Sequence, residues 1–124
     1  MATKIKILVV DDIAETRKNL RKLLELEEDM FVIGEASNGA EAIACALNLH
    51  PDVILMDINM PIMDGIQATQ HLTSEARQMS IIILSVQGEQ EYLRKAMAAG
   101  AREYLIKPPS SEELVQTVRK VVQL

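Results

Sequence analysis

Apolar residues gather in five short runs, Ile7 to Val10, Phe31 to Ile33, Val53 to Met56, Ile81 to Leu84 and Tyr104 to Ile106. Each has the length of a strand, and most are rich in β-branched residues. The stretches between them show helical spacing. Several open on a small polar residue followed three positions later by Glu, the pattern in which the two residues satisfy free N–H groups at a helix start. Asp12 with Glu15, Asn38 with Glu41 and Ser110 with Glu113 fit it. Pro51 marks the stop of the second helix, and Gly100, after two alanines, is suited to a left-handed cap on the fourth. The last helix carries Leu114, Val115, Val118, Val121 and Val122. Alternation of nearly continuous apolar strands with helices predicts a parallel sheet covered on both faces, because crossover connections place helices there. The expected fold class is α/β, a (βα)5 doubly wound five-stranded sheet.

A length of 124 residues suits one compact domain, so residues 1–124 are read as a single unit. Phe31, Tyr92 and Tyr104 are the only aromatic residues, which leaves the core to Ile, Leu, Val, Met and Ala. A net charge of -5 argues against nucleic-acid binding through overall attraction. Arg17, Lys18, Arg21 and Lys22 form a basic cluster on the first helix, read as a solvated outer face. A lone Cys45 permits no intrachain disulfide and is read as buried filler in a reduced compartment. No apolar run approaches the roughly 20 residues that span a bilayer, and the expected location is the cytoplasm.

In an open parallel sheet, ligands bind beyond the carboxyl ends of the strands. Asp11 and Asp12 follow the first run, Asp57 the third, Ser85 the fourth and Lys107 the fifth, while the second run offers no comparable group. Three gathered carboxylates repel one another by about 3 kcal/mol per pair at ~5 Å and an effective dielectric of ~20. A cation must therefore sit among them. Mg2+ fits, since it takes oxygen ligands and commonly binds one or two carboxylates together with phosphate oxygens. With Lys107 and a hydroxyl nearby, a carboxylate so placed can attack phosphorus and form an aspartyl phosphate. Each residue alone has a plainer reading as a helix cap, a turn or a strand end. Four of five strands ending in mutually useful groups do not.

These residues stand in the segments ILVVDD at Ile7 to Asp12, DVILMDINMPIMDG at Asp52 to Gly65, ILS at Ile83 to Ser85, and AREYLIKP at Ala101 to Pro108. In order and separation the set resembles the receiver domains of two-component response regulators, over essentially the whole chain. The resemblance implies a flavodoxin-like receiver fold with Asp57 as phosphoacceptor. It also implies Mg2+ bound directly by Asp12, through water by Asp11, and by Asp57 and the Asn59 carbonyl. Lys107 would pair with the phosphoryl group and Ser85 would hydrogen-bond it, with Tyr104 rotating inward in concert. The altered surface would be the fourth helix, fifth strand and fifth helix. A sensor histidine kinase would be the donor and an effector domain or protein the recipient of the signal. A homodimer is among the assemblies the resemblance allows, and the domain would catalyse its own phosphorylation and dephosphorylation without being an enzyme in the ordinary sense. A cis peptide between Lys107 and Pro108 is implied as well.

Three positions depart from the family pattern. Val86 stands where Ala or Gly is common and is expected to narrow access to the site; Pro109 replaces a frequent aromatic; Arg102 replaces an acidic residue used in one dimer mode. His50 and His71 are read as structural or exposed, and Met60 and Met63 as packing beneath the loop after Asp57. Two rivals share the scaffold. A phosphohydrolase using an Asp nucleophile would need a further domain or insertion to enclose a metabolite, and an FMN-binding domain would set three carboxylates against the flavin phosphate.

Overall fold

The computed structural model describes residues 4–75, 78–86 and 90–123. Its elements alternate strictly: β1 (Ile5–Val10), α1 (Ala14–Glu25), β2 (Met30–Ala36), α2 (Gly39–Leu49), β3 (Val53–Asp57), α3 (Gly65–Glu75), β4 (Ser80–Ser85), α4 (Gln90–Ala99), β5 (Glu103–Ile106) and α5 (Ser111–Val122). All strands pair in parallel, in the order β2-β1-β3-β4-β5. The expected (βα)5 sheet is present.

Strand alternation sorts the core into two layers. Ile7, Val9, Val53, Leu55, Ile82, Leu84 and Leu105 pack against Leu20 and Leu24 of α1 and the buried stripe Leu114, Val115, Val118 and Val121 of α5. Their neighbours Leu8, Val10, Ile54, Met56, Ile81 and Ile83 face Ala42 and Ala46 of α2, Ala68 and Leu72 of α3, and Ala96 of α4. Small alanines on that second side let three helices lie close to the sheet, with Tyr92 and Tyr104 packing half-buried at its margin.

Observed β2 is longer than its apolar run, extending through Gly34, Glu35 and Ala36. Its register slips against β1 between Ile7 and Leu8, so Ile33 is the extra residue of a bulge. That irregularity blurs the alternation from which the strand end was expected. Arg119 of α5 bonds Asp29 and Glu27, both at 2.8 to 2.9 Å, and so ties the last helix to the turn before β2.

Helix ends follow the local signals with one exception. Asn38 Oδ1 accepts from the Glu41 N–H at 2.9 Å and Ser110 Oγ from the Glu113 N–H at 3.0 Å. The reciprocal arm from Glu41 reaches the Ser37 N–H, one residue earlier than the simple pattern. Gly100, at φ 113, closes α4 through Gly100 N–H to Met97 O and Ala101 N–H to Ala96 O, the paired bonds of a left-handed cap. The exception is α1, where Asp12 does not cap. Its N-cap is Ile13, with no side-chain bond, and the Ile13 N–H instead meets Asp11 Oδ1 at 2.9 Å. Asp12 is left to face the sheet edge. Cys45 is half-buried rather than buried, and burial pushes its thiol pKa up, helped by Glu41.

Candidate functional site

With every strand parallel, all five carboxyl ends lie on one edge. β1 and β3 are neighbours at the centre of the sheet, where the chain changes its direction of winding, and an open crevice forms at that point. Asp11 and Asp12 leave β1 on one side of it and Asp57 ends β3 on the other. Continuing the strand alternation, Asp11, Asp57 and Lys107 share the face of Val9, Leu55 and Leu105, whereas Ser85 and Tyr104 share that of Ile83.

One oxygen from each of Asp11, Asp12 and Asp57 lies within 4.8 Å of the others. Lys107 Nζ sits among them, 2.5 Å from Asp11 Oδ2 and 3.2 Å from Asp57 Oδ1. Asp11 is 1% exposed and Asp57 8%, whereas Asp12 is open to solvent. Burial pushes the Asp57 carboxyl above the ordinary carboxylate range, and Asp11 pushes the same way; the Lys107 ammonium opposes both without cancelling them. Burial also works against the charged form of Lys107. Its hydrogen bonds and attraction to Asp11 and Asp57 outweigh that and hold its pKa above the usual lysine value. The cluster therefore holds more negative charge than its one lysine can offset. Hard oxygen donors at this spacing could hold Mg2+, and the Asp12 carboxylate is the most accessible of them.

Ser85 is 1% exposed at the end of β4, and its carbonyl accepts the Lys107 N–H at 2.8 Å, which sets Lys107 directly after β5. Tyr104 is half-buried against the α2–α3–α4 layer. Asn59 is exposed just past Asp57. The Lys107–Pro108 peptide is cis. Val86, 62% exposed, lines an apolar cleft of about 210 Å³ with Thr16, Leu20, Leu23, Pro108 and Pro109, beside Lys107. Gln87 to Glu89, which follow Val86, lie outside the described residues. His50 is an exposed left-handed C-cap and His71 pairs with Glu75 on the surface, away from the acids, while Met60 and Met63 pack half-buried against the core.

The loop after Asp57 is built tightly. Gly65 N–H returns to Ile58 O at 2.8 Å, Gly39 N–H meets Met63 O at 2.9 Å, and Met63 N–H reaches Pro61 O at 2.7 Å across a three-residue turn. Ile62 is the centre of that turn, at φ 71 and 83% exposed. A β-branched residue there is strained by roughly 1 to 2 kcal/mol, part of which Gly would return in chain entropy on folding. Ile62→Gly is expected to stabilise the fold by roughly 0.5 to 1 kcal/mol, read as a higher urea midpoint. A lower midpoint would mean that the exposed side chain packs usefully after all.

The basic cluster on α1 is not the uniform outer face expected of it. Lys18 and Lys22 are exposed, but Arg17 and Arg21 turn to Glu35 of β2, and Arg17 reaches the Asp11 carbonyl. The second strand thus does supply a group at this edge. No local signal in the sequence separates Arg17 and Arg21 from the lysines beside them, because the acid they meet lies on another element.

The family model of the response regulator receiver domain matches residues 7–119. The chain belongs to this family. The receiver is 40% identical over 113 residues to the transcriptional regulatory protein YhcZ of Bacillus subtilis, covering 91% of this chain and 53% of that protein. It is 44% identical to a protein-glutamate methylesterase/protein-glutamine glutaminase of Caldanaerobacter subterraneus, covering 92% of this chain and 31% of that one. Among solved structures, the signal receiver domain of the putative response regulator NarL from Mycobacterium tuberculosis superposes with a TM-score of 0.94 at 30% identity, covering 98% of each chain. The receiver thus spans about half the length of the regulator and a third of the methylesterase. Among the described residues no helix is long and apolar enough to cross a membrane.

Proposed function

We propose that this receiver is a phosphoacceptor switch in which Asp57 takes a phosphoryl group from the phosphohistidine of a sensor histidine kinase. The observation that carries this reading is the buried Asp57 beside Lys107, with Asp11 and Asp12 across the β1–β3 crevice. Asp12 would hold Mg2+ directly, Asp11 through a water, with Asp57 and the Asn59 carbonyl completing the protein ligands. When bound, the ion supplies positive charge that draws off the acid–acid repulsion and offsets charge on the phosphoryl oxygens. Asp57 attacks phosphorus through a carboxylate oxygen, the bond from phosphorus to the donor imidazole breaks, and that nitrogen keeps the electron pair. Lys107 would follow the charge onto the phosphoryl group as a point donor.

Ser85, on the same sheet face as Tyr104, would be the group that reads the new oxygen atoms. A hydrogen bond from its hydroxyl would favour the inward arrangement of Tyr104 and so alter the surface of α4, β5 and α5, on which Met97 and Ile106 are exposed. An effector domain or protein, or a second copy of the receiver, would bind that surface. A protein donor suits the open site better than a metabolite does, and the apolar cleft beside Lys107 gives such a donor a footing. A reduced, cytoplasmic setting accompanies this reading, and no nucleic acid would bind through the acidic receiver itself.

The test is the intact mass of the protein after incubation with acetyl phosphate and Mg2+. One added phosphoryl group, absent when EDTA replaces Mg2+, is the expected result. No adduct over a range of donor concentrations and times would count against phosphoacceptor chemistry and leave the family fold with a binding role.

A further inference from the structure

Asp11 lies one residue past the last paired position of β1, yet it is held at four points. Its N–H meets Ala36 O at 3.1 Å, its Oδ1 accepts the Ile13 N–H, its Oδ2 accepts Lys107, and its carbonyl accepts Arg17 Nη1 at 2.7 Å. Three of these belong to sheet, turn and site. The fourth comes from α1 and is itself anchored, because Arg17 Nε bonds Glu35 Oε1 at 3.0 Å while Glu35 Oε2 lies 3.0 Å from Arg21 Nε. The Arg17 side chain is 18% exposed, well inside the surface its neighbours Lys18 and Lys22 occupy.

We infer that Arg17, anchored by Glu35, is a positioning residue for the acidic pocket: its guanidinium clamps the Asp11 carbonyl and so sets the plane of the Asp11–Asp12 peptide from which both metal-facing carboxylates project. This rests on the reading of that pocket as a Mg2+ site. A peptide plane past the end of a sheet has no ladder bond to fix its rotation, and a turn of that plane swings the Asp12 carboxylate away from Asp57. The planar fork of Arg can bond the carbonyl and Glu35 at once in fixed directions, whereas the single ammonium of Lys supplies charge without that geometry. Groups that orient metal ligands typically affect metal affinity 10- to 100-fold when removed.

The experiment is calorimetric titration of Mg2+ into wild type, Arg17→Lys, Arg17→Ala, Glu35→Ala and the Arg17→Ala/Glu35→Ala pair, with thermal melts in EDTA alongside. Expected are a loss of Mg2+ affinity of about tenfold in Arg17→Lys and Arg17→Ala alike, a smaller loss in Glu35→Ala, and a double variant no worse than Arg17→Ala. Arg17→Lys retaining wild-type affinity would replace positioning by simple charge and overturn the assignment. So would variants that melt earlier in EDTA but bind Mg2+ as wild type does, which is the signature of a merely structural tie. Absence of Mg2+ binding by the wild type itself would remove the site reading and this assignment together.

Discussion

Asp57→Asn is expected to yield no phosphoryl adduct under conditions that phosphorylate the wild type, and in EDTA to melt above it. The first effect follows from chemistry, since an amide oxygen is a poor nucleophile and the adduct would lack a stable acyl phosphate linkage. The second follows from the charge balance. Asn removes both the attraction to Lys107, whose Nζ lies 3.2 Å from Asp57 Oδ1, and the smaller repulsion from Asp11. Outweighing the lost attraction is the desolvation of the Asp57 carboxylate, the largest influence on its pKa, which Asn does not bear. The sign of the pH dependence is fixed by the same fact. Because folding raises the Asp57 pKa, the native state binds its proton more tightly than the unfolded chain, so the metal-free wild type loses stability as pH rises from 3.8 through the raised value. The advantage of Asp57→Asn in EDTA should therefore be absent in strong acid and full at neutrality. Mg2+ should reverse the order by stabilising the wild type more than the variant. Equal melting at neutral pH in EDTA would show that the pocket carries no unrelieved charge.

Gly65→Ala should be among the most damaging single substitutions outside the acidic residues. A Cβ at this position would overlap the backbone carbonyl oxygen of Asp57 and lie 2.9 Å from Met56 Cγ. The obstacle is the end of β3 itself, whose bond from the Gly65 N–H to Ile58 O holds the two segments together, so no side chain can swing aside. The expected loss is roughly 3 kcal/mol or more, at the upper end of overpacking effects, read as the urea midpoint. Gly34→Ala is the control. Its Cβ would meet the Cδ1 atoms of Leu49 and Leu8, which can rotate away, and a loss of under roughly 1 kcal/mol is expected. A survivor Gly65→Ala protein should also bind Mg2+ weakly, because Asp57 can escape the overlap only by moving. Near-wild-type values for both properties would show that β3 yields more readily than its hydrogen bonds imply.

Much of this architecture can be read from residues alone, for reasons visible in the molecule. Buried parallel strands need continuous apolar runs, and Val53 to Met56 and Ile81 to Leu84 are such runs, so β3 and β4 appear with nearly their true limits. Site residues sit where those runs stop, so Asp57, Ser85 and Lys107 could be placed at one edge before any coordinates were known. What stayed hidden depended on contacts between distant elements. The end of β2 was obscured by a bulge, and by Gly34 and Glu35, which do not look like strand. Asp12 resembled a helix cap because the competing use of the Asp11 carboxylate, accepting the Ile13 N–H, exists only in the folded loop. Arg17 resembled its lysine neighbours because nothing local distinguishes an arginine that turns inward. Its partners, Asp11 O and Glu35, lie 6 and 18 residues away along the chain.

Lys107 and Asp11 are 96 residues apart in the chain and meet only through β5, the last strand of this sheet in chain order. A polypeptide still emerging from the ribosome would carry every acid of the crevice without the internal counter-ion that sits among them. Closing so long a loop comes late in folding, since its entropy must be lost before the contact rewards it. Competence to receive a signal would thus arrive with the final strand rather than accumulate with chain length. On the proposed reading, the same wiring would make acceptance of a phosphoryl group a report on the placement of β5: a chain that misplaces this strand would keep much of its secondary structure and still be silent in the circuit.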